Sequence, residues 1–167
     1  KVNFNQVQFS YIENIPVLKS ISFEIEAGKT LAIVGATGSG KTSTIGIISR
    51  FYEYQQGEVL IDDVNIRRYK LANLRNNMAV VLQDVFLFKG SIYENITLGD
   101  HSISLEKVID VSKLLGLHDF IMTLPGNYYY EVKERGVTLS IGQRQLISFV
   151  RALVSDPSIL ILDEATS

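Results

Sequence analysis

The most explicit chemistry lies in Leu31-Ala-Ile-Val-Gly35-Ala-Thr-Gly-Ser-Gly40-Lys41-Thr42, where four apolar residues run into a glycine-rich turn and a lysine and threonine then open a helix. The spacing G-x-x-x-x-G-K-T is that of a phosphate-binding loop. Gly35, Gly38 and Gly40 are expected to allow positive φ and a close approach of backbone to an anion, with no Cβ in the way. The N–H groups of Ala36, Thr37, Ser39 and onward to Ser43 can then converge on phosphate oxygens at the positive end of the helix beginning near Lys41. Lys41 would reach the β- and γ-phosphates, and the Thr42 hydroxyl would ligate Mg²⁺. The competing reading is a strand–helix turn with an incidental lysine. The loop alone does not say which phosphoryl chemistry it serves.

Ile159-Leu-Ile-Leu-Asp163-Glu164 supplies a second constellation: an apolar strand delivers two adjacent carboxylates to its carboxyl end, where ligands gather in open α/β sheets. Asp163 could hold the water shell of Mg²⁺, and Glu164 could polarise a water attacking the γ-phosphate. Positive charge from Mg²⁺ and Lys41 would make the neighbouring carboxylates tolerable. The competing reading is an apolar core strand that ends in a solvated acidic turn.

The third is Leu139-Ser140-Ile141-Gly142-Gln143. Ser140 followed three residues later by Gln143 is a capping-box pattern at a helix start. The same geometry, with a serine hydroxyl and a glycine permitting close approach, is also an anion site. One chain would carry two such helix starts but only one loop able to cradle a triphosphate. The economical resolution is that the second completes a nucleotide held by another chain.

Positioning these residues requires strands and helices in a definite order. Val2, Phe4, Val7 and Phe9 begin an extended segment ending at Ser10-Tyr11. After a turn at Glu13-Asn14-Ile15-Pro16, the run from Val17 to Ile25 reads as a strand, with polar and apolar residues alternating over residues 20–25. Leu31 to Val34 reads as the strand entering the loop. A helix is expected from Lys41 to about Phe51, with Ile45, Ile48 and Phe51 on one face. Glu58 to Ile61 is a short strand, Asp62-Asp63 a turn, Leu71 to Asn76 a short helix, and Met78 to Leu82 a buried strand. From Asp84 to about Leu139 the character is mainly helical, with Ser104 capping Leu105 to Leu115, a shorter helix from His118 to Leu124, and a loop at Asn127 to Tyr130. A long helix from Ile141 to about Ser155 turns Leu146, Val150, Leu153 and Val154 inward, and Asp156-Pro157 breaks it before a last buried strand. These elements give an α/β fold: a P-loop NTPase (RecA-like) core with an N-terminal antiparallel β layer and an inserted α-helical subdomain.

Segment 139–143 resembles the L-S-G-G-Q signature of ATP-binding cassette (ABC) ATPases, and the resemblance covers essentially the whole chain. It implies that Tyr11 stacks on adenine, that Val17 also borders the nucleotide, and that Gln83 touches Mg²⁺ and the attacking water. Asp163 then corresponds to the Walker B aspartate and Glu164 to the catalytic glutamate. Phe86 to Ile96 is similar to the exporter segment bordering the groove for coupling helices; a core aromatic pair is the other reading of Phe86 and Phe88. Residues 132–136 resemble the exporter stretch before the signature, which contacts intracellular loops. Ile141 stands where the signature has glycine, and Lys133 where the exporter motif usually has glycine. The chain stops at Ser167, where the family continues into the D-loop and switch histidine, and His101 and His118 both precede the signature. The resemblance implies a single ABC ATPase domain over 1–167, C-terminally incomplete, with 1–83 as β layer and P-loop core, 84–140 as mainly helical subdomain, and 141–167 as signature helix and Walker B strand. By itself it is expected to bind ATP weakly and hydrolyse it poorly.

The implied function is that of the ATP-hydrolysing domain of an exporter-type transporter. Two such domains would sandwich ATP head to tail, bound to transmembrane domains at the cytoplasmic face of the cell membrane. A formal net charge of −2 offers no general attraction to nucleic acid. Cysteine is absent, so disulfides and thiolate metal sites are excluded. No apolar run approaches the roughly 20 residues of a membrane span, so membrane contact is expected only through a partner. A soluble ABC ATPase of DNA repair or chromosome maintenance would call for a long coiled-coil insertion, zinc cysteines or a basic stripe, none of which is present. A P-loop GTPase would show N-K-x-D, which is also absent. A non-hydrolysing regulatory cassette is opposed by Glu164.

Overall fold

Strands β1 (Val2–Ile12) and β2 (Ile15–Ile25) form an antiparallel hairpin in the computed structural model, which describes residues 1–163 of the chain. The turn is tighter than expected: Asn14 takes a positive φ of 64°, and Ile15 and Pro16 already pair with Ile12 and Ser10. β3 (Gln56–Ile61) pairs with the other edge of β1, and β4 (Val64–Asn65) follows through Asp62-Asp63, both at positive φ as a two-residue hairpin requires. The antiparallel sheet therefore runs β2-β1-β3-β4.

β1 changes phase halfway. Val2 and Phe4 are buried, and so are Val7 and Phe9, although strict alternation from Phe4 would bury residues 6 and 8. A register shift after Phe4 accommodates the extra residue, and Gln6 sits there at φ 48°. Gly57 of β3 fits beneath this bulge at φ +84°; a Cβ there would lie 2.4 Å from the carbonyl oxygens of Asn5 and Gln6. Beyond the bulge the odd-numbered Val7 and Phe9 are buried, and Tyr11, itself exposed, continues that series.

Helix α1 (Lys41–Ile48) is shorter than expected. Arg50 turns the chain at φ 50°, and the buried face is Ile47 and Ile48 rather than a stripe ending at Phe51. Phe51 is exposed, with the Arg75 guanidinium 4.7 Å from its ring centroid. Leu31 to Val34 does not form a strand: no described strand pairs with it, and Val34 is 88% exposed. An apolar run needs a hydrogen-bonding neighbour to become a strand, and the periodicity of the run does not reveal one. Helix α2 (Leu71–Asn76) matches its expected span.

The chain divides into two compact units, residues 1–75 and residues from Asn76 onward. In the second, β5 (Met78–Val81) and β8 (Ile159–Leu162) pair in parallel. Between them lie a two-stranded ribbon of β6 (Gly90–Ser91) and β7 (Glu131–Val132), three short helices α3 (Ile92–Thr97), α4 (Leu105–Leu114) and α5 (His118–Met122), and the longer α6 (Ile141–Val154). Their shared core is built from Leu87, Ile92, Ile96, Val108, Ile121, Ile147 and Val150. The inward face of α6 is Ile147, Val150, Ala152 and Val154, with Leu146 and Leu153 only half-buried. Two expectations are corrected. The segment at Asn127 is a 3₁₀ turn whose Tyr128 is a core residue, its hydroxyl reaching His118 Nδ1 at 2.9 Å. β8 is not fully buried, because Leu160 and Leu162 on its second face are about half exposed while only the first face packs inward.

Candidate functional site

In the first unit, the phase of β1 carries Tyr11 to α1. Its hydroxyl lies 2.9 Å from Ser43 Oγ, and Ser43 is buried two residues after Lys41. The loop from Gly35 to Ser39 is exposed and then closes onto the sheet at Gly40. A Cβ on Gly40 would meet Leu18 Cδ2 at 2.5 Å and Val17 Cγ1 at 3.6 Å, so glycine lets the end of the loop rest on β2. That contact sets Val17 beside the loop.

The three glycines do different work. Gly38 and Gly40 occupy positive φ, at +83° and +94°. Gly35 does not, contrary to expectation; its constraint is space, since a Cβ would lie 2.6 Å from Ser39 Oγ. The Ser39 N–H donates to the Ala36 carbonyl at 3.1 Å, closing a turn around Thr37 inside the loop. Lys41 folds back over it, its Nζ donating to the carbonyls of Gly35 at 2.8 Å and Ala36 at 3.2 Å. Thr42 is exposed on the first turn of α1, while Thr44 turns inward and donates to the Gly40 carbonyl at 3.0 Å. The result is an ammonium and a helix start gathered at one exposed glycine-rich loop, an arrangement suited to a polyanion.

In the second unit, β5 and β8 run level: Val81 pairs with Leu162, and the Asp163 N–H donates to the Val81 carbonyl at 2.9 Å. Asp163 and the exposed Gln83 thus leave the same end of the same parallel sheet. Glu164 lies outside the described residues.

At the start of α6, the Ser140 N–H donates to Gln143 Oε1 at 2.8 Å and the Gln143 N–H donates to Ser140 Oγ at 3.2 Å, a complete capping box. Ser140 Oγ accepts in this arrangement, so its own O–H remains a donor. A Cβ on Gly142 would meet nothing within 4 Å, which leaves the helix start open to a ligand's approach. Ile141, in the departing position, is 68% exposed and obstructs neither residue from within the unit.

Two arginines that carried no signal in the sequence brace this helix. Arg144 Nη1 donates to the Leu139 carbonyl at 3.1 Å, and Gly136 is the small residue that admits its stem. Arg151 donates from Nε to the Asn95 carbonyl at 2.8 Å and from both terminal nitrogens to the Phe86 carbonyl at 3.3 Å. Burial pushes the Arg151 pKa down, while the three carbonyl contacts give the cation hydrogen-bond acceptors. Basic residues on an amphipathic helix read as solvated until their carbonyl partners are known. Phe86 and Phe88 form an edge-on pair at 5.0 Å, and both are about half exposed, so they are not a core pair. In the first unit Tyr52 packs on Tyr11 and on Gly46 of α1, contacts that have no sequence signature.

A model of the family described as ABC transporter matches residues 18–167. The chain is 50% identical over 167 residues to an uncharacterized ABC transporter ATP-binding protein, YknV, of Bacillus subtilis (strain 168), covering 100% of this chain and 28% of that protein. It is 45% identical over 168 residues to a putative multidrug export ATP-binding/permease protein of Staphylococcus aureus (strain NCTC 8325 / PS 47), covering 100% of this chain and 29% of that one. Among solved structures it is similar to a bacterial Atm1-family ABC exporter with ATP bound, with a TM-score of 0.93 and 39% identity over 99% of this chain and 29% of that one. The chain thus spans less than a third of the length of the curated relatives it matches.

Proposed function

The chain belongs to the ABC transporter family, and on that footing we propose that it is the ATP-binding and ATP-hydrolysing domain of an exporter-type transporter. The observation that supports this most is the loop itself: Lys41 arched over the carbonyls of Gly35 and Ala36, Gly38 and Gly40 in the left-handed region, and Tyr11 tied to Ser43 beside them. Tyr11 and Val17 would hold the adenine end, and the N–H groups of Ala36 to Ser43 the phosphates. Lys41 would exchange its carbonyl partners for the β- and γ-phosphates, a trade of neutral acceptors for charged ones that favours the nucleotide.

Thr42, Gln83 and Asp163 would hold the metal. All three offer oxygen donors, the ligand type Mg²⁺ takes. Bound with the nucleotide, Mg²⁺ would neutralise charge on the β- and γ-phosphates. Glu164 would accept a proton from the attacking water, and Gln83 would orient that water. Ser140, Gly142 and Gln143 would meet the γ-phosphate of a nucleotide held by a second such domain, whether identical or not, so that ATP joins two domains head to tail. We take residues 1–167 as one ABC ATPase domain, with the helical segment 84–140 inserted between the phosphate loop and the signature helix.

The mechanical partner would be a transmembrane domain at the cytoplasmic face of the membrane. No helix among the described residues is long and apolar enough to cross a membrane. A cavity of about 430 Å³ in the second unit, lined by Leu82, Phe86, Phe88, Leu98 and Ile103 among others, has the apolar lining a coupling helix would need. The reading is tested by equilibrium binding of Mg-ATP to wild type and Lys41→Ala. The substitution should weaken binding tenfold or more, on the order of 1.4 kcal/mol, with unfolding unchanged. Equal affinities would contradict the role of the loop.

A further inference from the structure

A tyrosine at the end of a strand can adopt several rotamers, and each ring orientation not suited to a base lowers affinity by its share of the population. Tyr11 is restrained on three sides. Its hydroxyl reaches Ser43 Oγ at 2.9 Å. Its ring stands nearly perpendicular to that of buried Phe9, with centroids 4.7 Å apart at 81°, and to that of Tyr52, at 5.1 Å and 89°. These edge-to-face geometries are the favoured ones for aromatic pairs. Tyr11 nevertheless remains 54% exposed, so restraint does not bury the ring.

Tyr52 is itself fixed. Its N–H donates to the Gly46 carbonyl at 3.3 Å, and a Cβ on Gly46 would lie 2.6 Å from its Cδ2 and 2.9 Å from its Cε2. The missing side chain at Gly46 is what lets the Tyr52 ring lie against α1. Among the described residues the Tyr52 hydroxyl has no hydrogen-bond partner, so the ring is the working part.

We propose that Tyr52 and the Ser43 hydroxyl are positioning residues that hold the Tyr11 ring ready for a nucleobase, linking the base platform to the helix that grips the phosphates. The proposal rests on the reading of the loop as an ATP site and assigns that site a preformed base platform in place of one ordered by the ligand. Preorganisation of this kind raises affinity by removing an ordering cost, and it acts only on ligands that carry a base.

That selectivity separates positioning from mere support of the fold. Binding of Mg-ATP and of Mg-tripolyphosphate, which has the phosphates without the base, is measured on the same variants. Tyr52→Leu should weaken ATP about fivefold and leave tripolyphosphate unchanged, and Tyr52→Phe should bind both as wild type does. Tyr11→Phe, at an exposed position where folding is not at stake, keeps the ring and loses the tie to Ser43. It should weaken ATP by a smaller factor and again spare tripolyphosphate. Parallel loss of both ligands in Tyr52→Leu, or undiminished ATP affinity in Tyr52→Leu or Tyr11→Phe, would overturn the proposal. A wild-type chain that binds neither ligand would overturn the ATP reading, and this proposal with it.

Discussion

Gly57 sits so close beneath Gln6 that any side chain at that position would collide with the Gln6 carbonyl, 2.4 Å from where a Cβ would be. The pair forms a bulge in β1, and the bulge decides which face of the sheet Tyr11 occupies. A one-residue change of phase in a strand moves every later side chain to the opposite face.

Gly57→Ala would meet both a left-handed backbone and two carbonyl oxygens. We expect it to destabilise the first unit by at least about 2 kcal/mol, read from urea or thermal unfolding. Where the chain still folds, it should bind ATP more weakly relative to tripolyphosphate, because Tyr11 is displaced. Wild-type stability in Gly57→Ala would show that the bulge is not required.

Ser140 has two assignments, as helix cap and as phosphate donor, and two substitutions separate them. Ser140→Ala removes the side-chain acceptor of the Gln143 N–H and should cost about 1 kcal/mol of stability as well as ATPase activity in the assembled transporter. Ser140→Asp keeps a good N-cap but sets a carboxylate where the γ-phosphate would approach. It should retain stability and lose activity. Full activity in Ser140→Asp would leave Ser140 as a cap alone.

Glu94 closes a second capping box, at the start of α3. The Ser91 N–H at 2.7 Å, and then its hydroxyl at 2.9 Å, hold the Glu94 carboxyl below its usual pKa. Because the folded value is depressed, this stabilisation is present above the unfolded pKa, near 4.3, and is lost as pH falls through the folded value. Glu94→Gln keeps a capping-box residue that does not titrate. The stability advantage of wild type over Glu94→Gln should therefore shrink on going from about pH 7 to about pH 3, in paired unfolding curves. An advantage independent of pH would refute the assignment.

What was legible in the sequence was whatever is decided locally. The helix start at Lys41 with Gly38 and Gly40 at positive φ, the capping box from Ser140 to Gln143 and the N-cap at Ser104 depend on residue types a few positions apart and lie where expected, while Gly35 is fixed by its packing on Ser39 instead. Features decided by distant partners were not legible. Leu31 to Val34 has a strand's composition but no described pairing partner. Tyr128 looked like a loop residue because its neighbours are polar or aromatic, yet it is buried beside His118. Arg151 carries no signal in the sequence, because the carbonyls of Phe86 and Asn95 that it bonds lie more than fifty residues away in the chain. The packing of Tyr52 on Gly46 is illegible for the same reason: a glycine that makes room for a ring has no signature of its own.

The function proposed for this domain places Glu164 on the attacking water and a second such domain across the site. The most direct test is Glu164→Gln in the assembled transporter, with ATP turnover, retained nucleotide and association of the ATP-binding domains measured on the same preparation. Loss of turnover with ATP retained and the domains held together is the expected result. Hydrolysis at the wild-type rate would contradict it.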